Sequence, residues 1–394
     1  MKMNRIVLIA IGSIFLFGSC KKKKEEAEIE ARKTESKTTY ANIAYNAYKD
    51  SYDKAVDLQT AIYTFVDTPT QANFDACKQA WLDAREPYGQ TEVFRFSDGP
   101  IDDIDGPEGM INGWPLDESY VDYVSGAPNS GIINNTSITI DATTLESLNE
   151  VGGEENISVG YHAIEFLLWG QDNTAPSADL PGQRSYMDYD LNTPANPNPD
   201  RRGQYLKVCA DLLVQHLAEM RDEWATNGSY RSYFINLDND LALQKMLSGM
   251  GILSKAELAG ERMFVALDNS DQEDEHSCFS DNTHRDIILN AKGIQNVYLG
   301  SYTTVSGSVI SGTSLKDVME KVDADLNTTM ISYLSNAQTY CEAIPNPFDY
   351  AIMSEVVGGS GPIMTAILQL QSNGNKLAEV AHALGITIST ELPE

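Results

Sequence analysis

The chain has 394 residues, 57 acidic against 28 basic side chains, and a formal net charge of −29. That length suits two domains of ordinary size, and so acidic a surface repels nucleic acid while attracting cations. Five cysteines are too sparse for a disulfide scaffold, and the lack of a Cys-x-x-Cys pair argues against thiol redox chemistry and cysteine-type zinc sites.

At the N-terminus, Lys2 and Arg5 precede an apolar run from Ile6 to Phe17, then Gly18, Ser19 and Cys20. A run of about a dozen residues is too short for a spanning helix, which needs about 20. Small residues directly before a cysteine fit a lipoprotein signal of residues 1–19, with Cys20 as the lipidated residue. A signal peptide that merely ends near a cysteine is the plainer alternative. Loss of Lys2 and Arg5 takes the charge from −29 to −31. Lys21–Lys24, Glu25 and Glu26 open a polar segment, expected to be a solvated tether over residues 20–37. The reading is an outer-membrane lipoprotein facing the periplasm or cell surface, touching the membrane through its anchor on Cys20.

Apolar residues at three- and four-residue steps predict helices near 38–66, 71–92, 157–169 and 201–226. Asn227-Gly228 marks a stop. A second set is predicted near 240–268, 282–302, 313–341 and 348–372, with a short piece around 375–385. The fold class is therefore all-α: two four-helix-bundle-like domains, 38–228 and 229–394, with long irregular loops. Gly293 and Gly300 are placed to permit close helix packing. Residues 97–140 and 171–200 are rich in turn formers, and short strands are expected within them, Ile132–Ile140 for example. Cys77, Cys209, Cys278 and Cys341 allow two disulfides in an oxidising compartment.

The sharpest chemical feature is Gly160-Tyr161-His162-Ala163-Ile164-Glu165. His162 and Glu165, three apart on a helix, share a face and could meet one ion. Ser158 is placed to cap that helix, and a helix N-terminus favours the neutral imidazole that a metal needs. A histidine held by a carboxylate in a helix interface is the bland alternative. The second feature runs from Asp271 to Asp286 and holds Asp274, His276, Ser280, Asp281 and His284. Its polar groups could converge on a site, or Ser280 or Asp281 could cap the next helix. Third, Arg85 and Arg95 stand out in so acidic a chain, either holding buried carboxylates, the favoured reading, or binding an anion. Asp102-Asp103-Ile104-Asp105-Gly106 matches a calcium loop only loosely, its register being wrong. His216 and His382 fall on helical stripes and are expected to be packing residues. Established protease and phosphate-loop motifs are missing.

These blocks together resemble the imelysin family, a peptidase-like family also called M75. Gly160-Tyr161-His162-Ala163-Ile164-Glu165 matches its Gly-x-His-x-x-Glu signature. Trp81 with Ala84-Arg85 and Pro87-Tyr88, Asn112-Gly113-Trp114-Pro115-Leu116, and the Asp271–His284 run also resemble its conserved blocks, in the same order. The resemblance implies paired helical bundles derived by duplication and a metal held by His162 and Glu165. It also implies work in iron acquisition beside other iron-uptake components. The expected ligand set is His162, Glu165, Asp274 and His284, with Arg85, Arg95, His276, Ser280 and Asp281 shaping the site and iron favoured over zinc. A metallopeptidase and a non-catalytic surface interaction module are the alternative functions.

Overall fold

The computed structural model describes residues 7–104, 106–178 and 180–393, with side chains from residue 22 onward. The signal segment 1–19 and the lipidation expected at Cys20 lie outside the described side chains, as does Asp105. The architecture is all-α. Helix α1 (Val7–Asp67) packs along α2 (Gln71–Tyr88) and α4 (Pro199–Trp224), with α3 (Gly160–Trp169) laid against α2 and α4. A second group comprises α5 (Asn239–Ile252), α6 (Thr283–Leu299), α7 (Ala324–Glu342) and α8 (Pro362–Ala383). Among the described residues no helix is long and apolar enough to cross a membrane.

The stripes read from the sequence are the buried faces. On α4, Tyr205, Cys209, Leu212, Leu213, Leu217, Met220 and Trp224 are all buried, each large apolar side chain stabilising the fold by about 1.5–3 kcal/mol. The larger core crosses the boundary expected at residue 228, because Leu243, Met246, Val297 and Tyr298 join it. Helix α1 is long enough to serve both groups, so its side chains weld them. A smaller core lies among Leu258, Met263, Ile352, Ile367 and their neighbours.

Several local expectations are corrected. Residues 21–37 are helical, and Lys33, Ser36 and Lys37 are buried: Lys33 Nζ meets Asp240 Oδ1 at 2.6 Å and Lys37 Nζ donates to the Leu237 carbonyl at 2.7 Å. The tether is thus the first part of α1. The helix expected over 313–341 breaks at Asp323, whose Oδ1 accepts the Leu326 N–H at 2.9 Å and caps α7. That expected over 348–372 stops at Ser354, and α8 restarts at Pro362 and absorbs the terminal piece. No strand forms in Ile132–Ile140, where residues Gly131–Asn134 make a helical turn. The antiparallel pair is β1 (Ser301–Thr303) with β2 (Val309–Ser311), Tyr302 facing Ile310. Cys77, Cys209, Cys278 and Cys341 are buried free thiols, so the allowed disulfides do not form. Of the two glycines, Gly293 lets α6 touch the chain at Gln90, since a Cβ would sit 2.6 Å from the Gln90 carbonyl oxygen. Gly300 instead ends α6 at a positive φ of 67°.

Asp122 anchors the long loops. It pairs with Arg184 (2.6 Å) and Arg202 (2.7 Å), both buried, tying residues 118–135 and 171–198 to the start of α4.

Candidate metal site

Helix α3 enters the core at Gly160. Its φ of +89° is a left-handed conformation, and a Cβ there would lie 2.7 Å from the Ile111 carbonyl oxygen, so a side chain is doubly excluded. Ser158 does not cap this helix; its Oγ donates to the Leu145 carbonyl at 2.7 Å, and Val159 takes the cap position without a side-chain bond.

The first turns place His162 and Glu165 wholly inside. His162 Nδ1 lies 2.9 Å from Glu165 Oε2, and a proton sits in that bond whichever atom carries it. The other oxygen, Oε1, accepts from the Ser280 amide (3.0 Å) and hydroxyl (2.7 Å). The carboxylate is therefore spent on orienting groups. His162 Nε2, turned away from Glu165, is buried with no hydrogen-bond partner. Its ring stands 4.8 Å from the His276 ring and 4.9 Å from the Trp114 ring, centroid to centroid.

His276 repeats the arrangement. Its Nδ1 lies 3.0 Å from Asp286 Oδ2, which also accepts from the Ser277 hydroxyl at 2.6 Å. Its Nε2 has only a long approach, 3.4 Å, to the Asn112 amide nitrogen. Two imidazoles, each fixed through Nδ1 by a carboxylate, thus stand ring to ring. Burial first, then Arg262, pulls the His276 pKa down to about 4. Burial, His276 and Arg85 push that of His162 well below the ordinary histidine range. Both rings are neutral at physiological pH. Burial raises the Glu165 carboxyl to about 8 against the opposing pull of Ser280 and Arg85.

Around the rings runs a closed set of buried ion pairs. Arg85 holds Asp286 Oδ1 with Nη2 at 3.0 Å and Nε at 3.3 Å, while Nη1 donates to Asn112. Its guanidinium lies 5.1–5.5 Å from the ring centroids of Trp81, Tyr88 and Tyr161, within reach of a cation–π attraction. Arg262 bonds Glu92 at 2.6 Å and Asn290 at 2.8 Å. Arg95 reaches Glu92, Glu108 and Glu257 at 3.2–3.4 Å. Arg262 and Glu257 meet (2.9 Å) because residues Leu253–Phe264, continuing α5, wind with five-residue hydrogen-bond spacing. An α-helix would set positions five apart on different faces.

Outside this wall lies a cleft of about 610 Å³. Trp114, Asn112 and His276 line its inner side, and seven carboxylates, Glu108, Glu150, Glu154 and Glu257 among them, face two guanidiniums, Arg95 and Arg262.

The four-residue ligand set does not converge. His162 and Glu165 bond each other. Asp274 accepts from Asn269 Nδ2 at 2.7 Å at the cleft rim. His284 is half-buried on another surface, with Nδ1 3.2 Å from the Asp281 carbonyl. Of the site-shaping residues, His276 and Ser280 reach the pair, and Arg85 and Arg95 hold carboxylates. Asp281 turns toward Asp172 and Asp349. Neither Ser280 nor Asp281 caps α6; Asn282 holds that position without a side-chain bond. Glu92 and Arg262 were not singled out by sequence reasoning, and Asn112 and Asp286 entered only within longer runs, without a site role; an arginine between Glu257 and Glu261 on one side and Glu273 on the other was the available signal for Arg262. His216 is buried beside Glu219, three residues on (3.4 Å), and Glu146 (3.2 Å), whereas His382 is exposed rather than packed.

The family model described as imelysin, of the M75 peptidase group, matches residues 44–377. An iron-regulated protein A of Synechococcus elongatus is 25% identical over 310 residues, spanning 76% of this chain and 72% of that protein. A crystal structure assigned as an iron-regulated protein A precursor from Parabacteroides distasonis superposes with a TM-score of 0.70 at 19% identity, covering 90% of this chain and 95% of that one. An imelysin-like protein from Psychrobacter arcticum gives 0.59 at 13% identity, over 92% and 98% of the two chains. Those two likenesses establish a shared all-α fold, and the family model spans most of the sequence. The chain belongs to the imelysin family.

Proposed function

We propose that the chain is an exported lipoprotein, anchored through Cys20, that binds a metal ion as cargo in iron acquisition, with iron favoured over zinc. The observation that carries this reading is the orphaned, buried His162 Nε2. With the proton on Nδ1, a neutral imidazole held by a carboxylate offers its second nitrogen as a lone pair, the arrangement that orients histidine toward a metal. His276, held by Asp286, supplies the matching nitrogen. Two nearby carboxylates, Glu92 and Asp286, offset the Arg85 and Arg262 charges, and the acidic cleft concentrates cations at the entrance.

Glu165 is thus a positioning residue and not a ligand. Hydrolysis is no part of the proposal: both Glu165 oxygens are engaged, so the His-x-x-Glu pair offers no free carboxylate to serve as a base. The iron-regulated name of the cyanobacterial relative supports the choice of metal.

Equilibrium dialysis of the full chain in detergent against Fe2+ under anaerobic conditions, and separately against Zn2+, tests the reading. Wild type is expected to take up metal that His162→Ala and His276→Ala each bind at least tenfold more weakly. Glu165→Gln should lose about 10–100-fold, as an orienting partner does. Equal uptake by wild type and both histidine variants would refute the site.

A further inference from the structure

On the other side of Ser280, three chain segments bring acids together. One carboxylate oxygen each from Asp172, Asp281 and Asp349 lies within 4.8 Å of the others. Asp172 follows the end of α3, Asp281 ends the segment that carries His276, and Asp349 opens the helix Phe348–Ser354. This is not a solvated acidic face, since Asp172 and Asp349 are only 4% and 3% exposed. A fourth acid deepens the problem. Glu275 is 1% exposed, neither of its oxygens has a hydrogen-bond partner, and its charge is coupled to those of Asp349, Asp281 and Asp172. The Thr283 hydroxyl favours its charged form without meeting hydrogen-bond geometry. Among the described residues, no lysine, arginine or histidine forms an ion pair with Asp172 or Glu275.

Asp172 and Glu275, buried without an ion-pair partner, carry a cost that a bound cation would remove. Asp172 has one oxygen occupied by the Thr174 amide (2.9 Å) and hydroxyl (2.8 Å), which leaves its second oxygen open. Ligand oxygens sit about 2.3–2.6 Å from calcium, so oxygens sharing one ion stand at most about 5 Å apart. The observed spread meets that limit. An all-oxygen, carboxylate-rich set without nitrogen or sulfur suits a hard cation, and ligands drawn irregularly from three separate chain segments suit calcium better than the stricter octahedron of magnesium.

We propose that Asp172, Asp281 and Asp349 form a calcium site, with Glu275 beside it and separate from the imidazole pair, that fastens the end of α3 and the Phe348–Ser354 helix to the segment bearing Ser280. The ion neutralises the acids and fixes the loop whose Ser280 amide and hydroxyl hold Glu165. Calcium therefore acts on the imidazole site only through that loop.

Thermal unfolding of the full chain in detergent, in EGTA and then in 5 mM CaCl2, tests this. Calcium is expected to raise the Tm by about 3 °C for a site of roughly 0.1 mM affinity, with a smaller shift in MgCl2. Titration calorimetry should give one calcium per chain. The variant Asp172→Asn/Asp349→Asn is expected to lose the calcium shift while melting in EGTA at or above wild type, because two repelling charges have gone. His162→Ala should keep the shift, so this site and the iron site fail independently. Absence of a calcium shift in wild type, an undiminished shift in the double variant, or an EGTA melt of that variant well below wild type would each overturn the proposal.

Discussion

Replacing Arg85 by alanine is expected to cost about 3–5 kcal/mol of folding stability, the penalty for leaving a buried charge without its partner. Asp286 and Arg85 are each only 1% exposed, so water cannot take the place of the guanidinium. The variant loses three bonds at once, two to Asp286 and one to Asn112, and empties the space between Trp81, Tyr88 and Tyr161. Lysine rescues little, because one ammonium cannot span Asp286 and Asn112 as the planar fork does. Urea unfolding of wild type, Arg85→Ala, Asp286→Asn and the double variant closes a thermodynamic cycle. The double variant should be more stable than the sum of the single losses implies, since it no longer buries an unpaired charge. Additive losses would show that Arg85 and Asp286 do not act as a pair.

The second large effect is acid lability. Burial alone would raise the Glu92 carboxyl; Arg262 and Arg95 outweigh it and hold the group down to about 2, against an ordinary 4.5. Burial is likewise outweighed at Asp286 by Arg85, His276 and Ser277, and that carboxyl is held far below the usual range. A depressed carboxyl contributes stability that is complete above its unfolded pKa and disappears as pH falls through the folded one. At about 1.4 kcal/mol per unit, Glu92 alone accounts for about 3 kcal/mol lost between pH 4.5 and 2. Above pH 4.5 the raised carboxyls of Glu165 and Glu273 act against the lowered imidazoles, so the acid window is the diagnostic one. Urea midpoints measured from pH 5 to pH 2 should fall steeply for wild type and more gently for Glu92→Gln, which begins from lower stability. Parallel slopes would mean that the Glu92 pairs contribute nothing.

The fold was legible because its signal is local. A helix buries one stripe, and Tyr205 through Trp224 show that stripe to anyone counting residues. Errors arose at breaks whose signals are short: Asp323 as a cap, and Gly358-Gly359-Ser360-Gly361-Pro362, where proline at the first helical position announces a new helix. The tether was misread because a Lys/Glu stretch has the same composition whether it dangles or runs as the exposed face of a helix. Only tertiary partners such as Asp240 distinguish the two.

The site divides the same way. His162 and Glu165 were legible as a pair since three residues on a helix set their distance. What the pair does was not. The fact that Ser280 takes one Glu165 oxygen depends on a chain crossing 115 residues away. In the Asp271–Asp286 segment no periodicity says which side chain points inward, so Asp274 and His284 were as plausible as His276. Spacing itself is weak: His216 and the exposed Glu219 repeat it on α4, beside the half-buried Glu146, with no second imidazole against them among the described residues.

X-ray absorption at the iron edge, on the full chain loaded with one equivalent of Fe2+ in excess calcium, bears most directly on what the two rings do. Nitrogen scattering typical of two imidazoles is predicted, falling to one in His276→Ala and unchanged in ligand type by Glu165→Gln. A spectrum built from oxygen neighbours alone, and indifferent to His162→Ala, would contradict it.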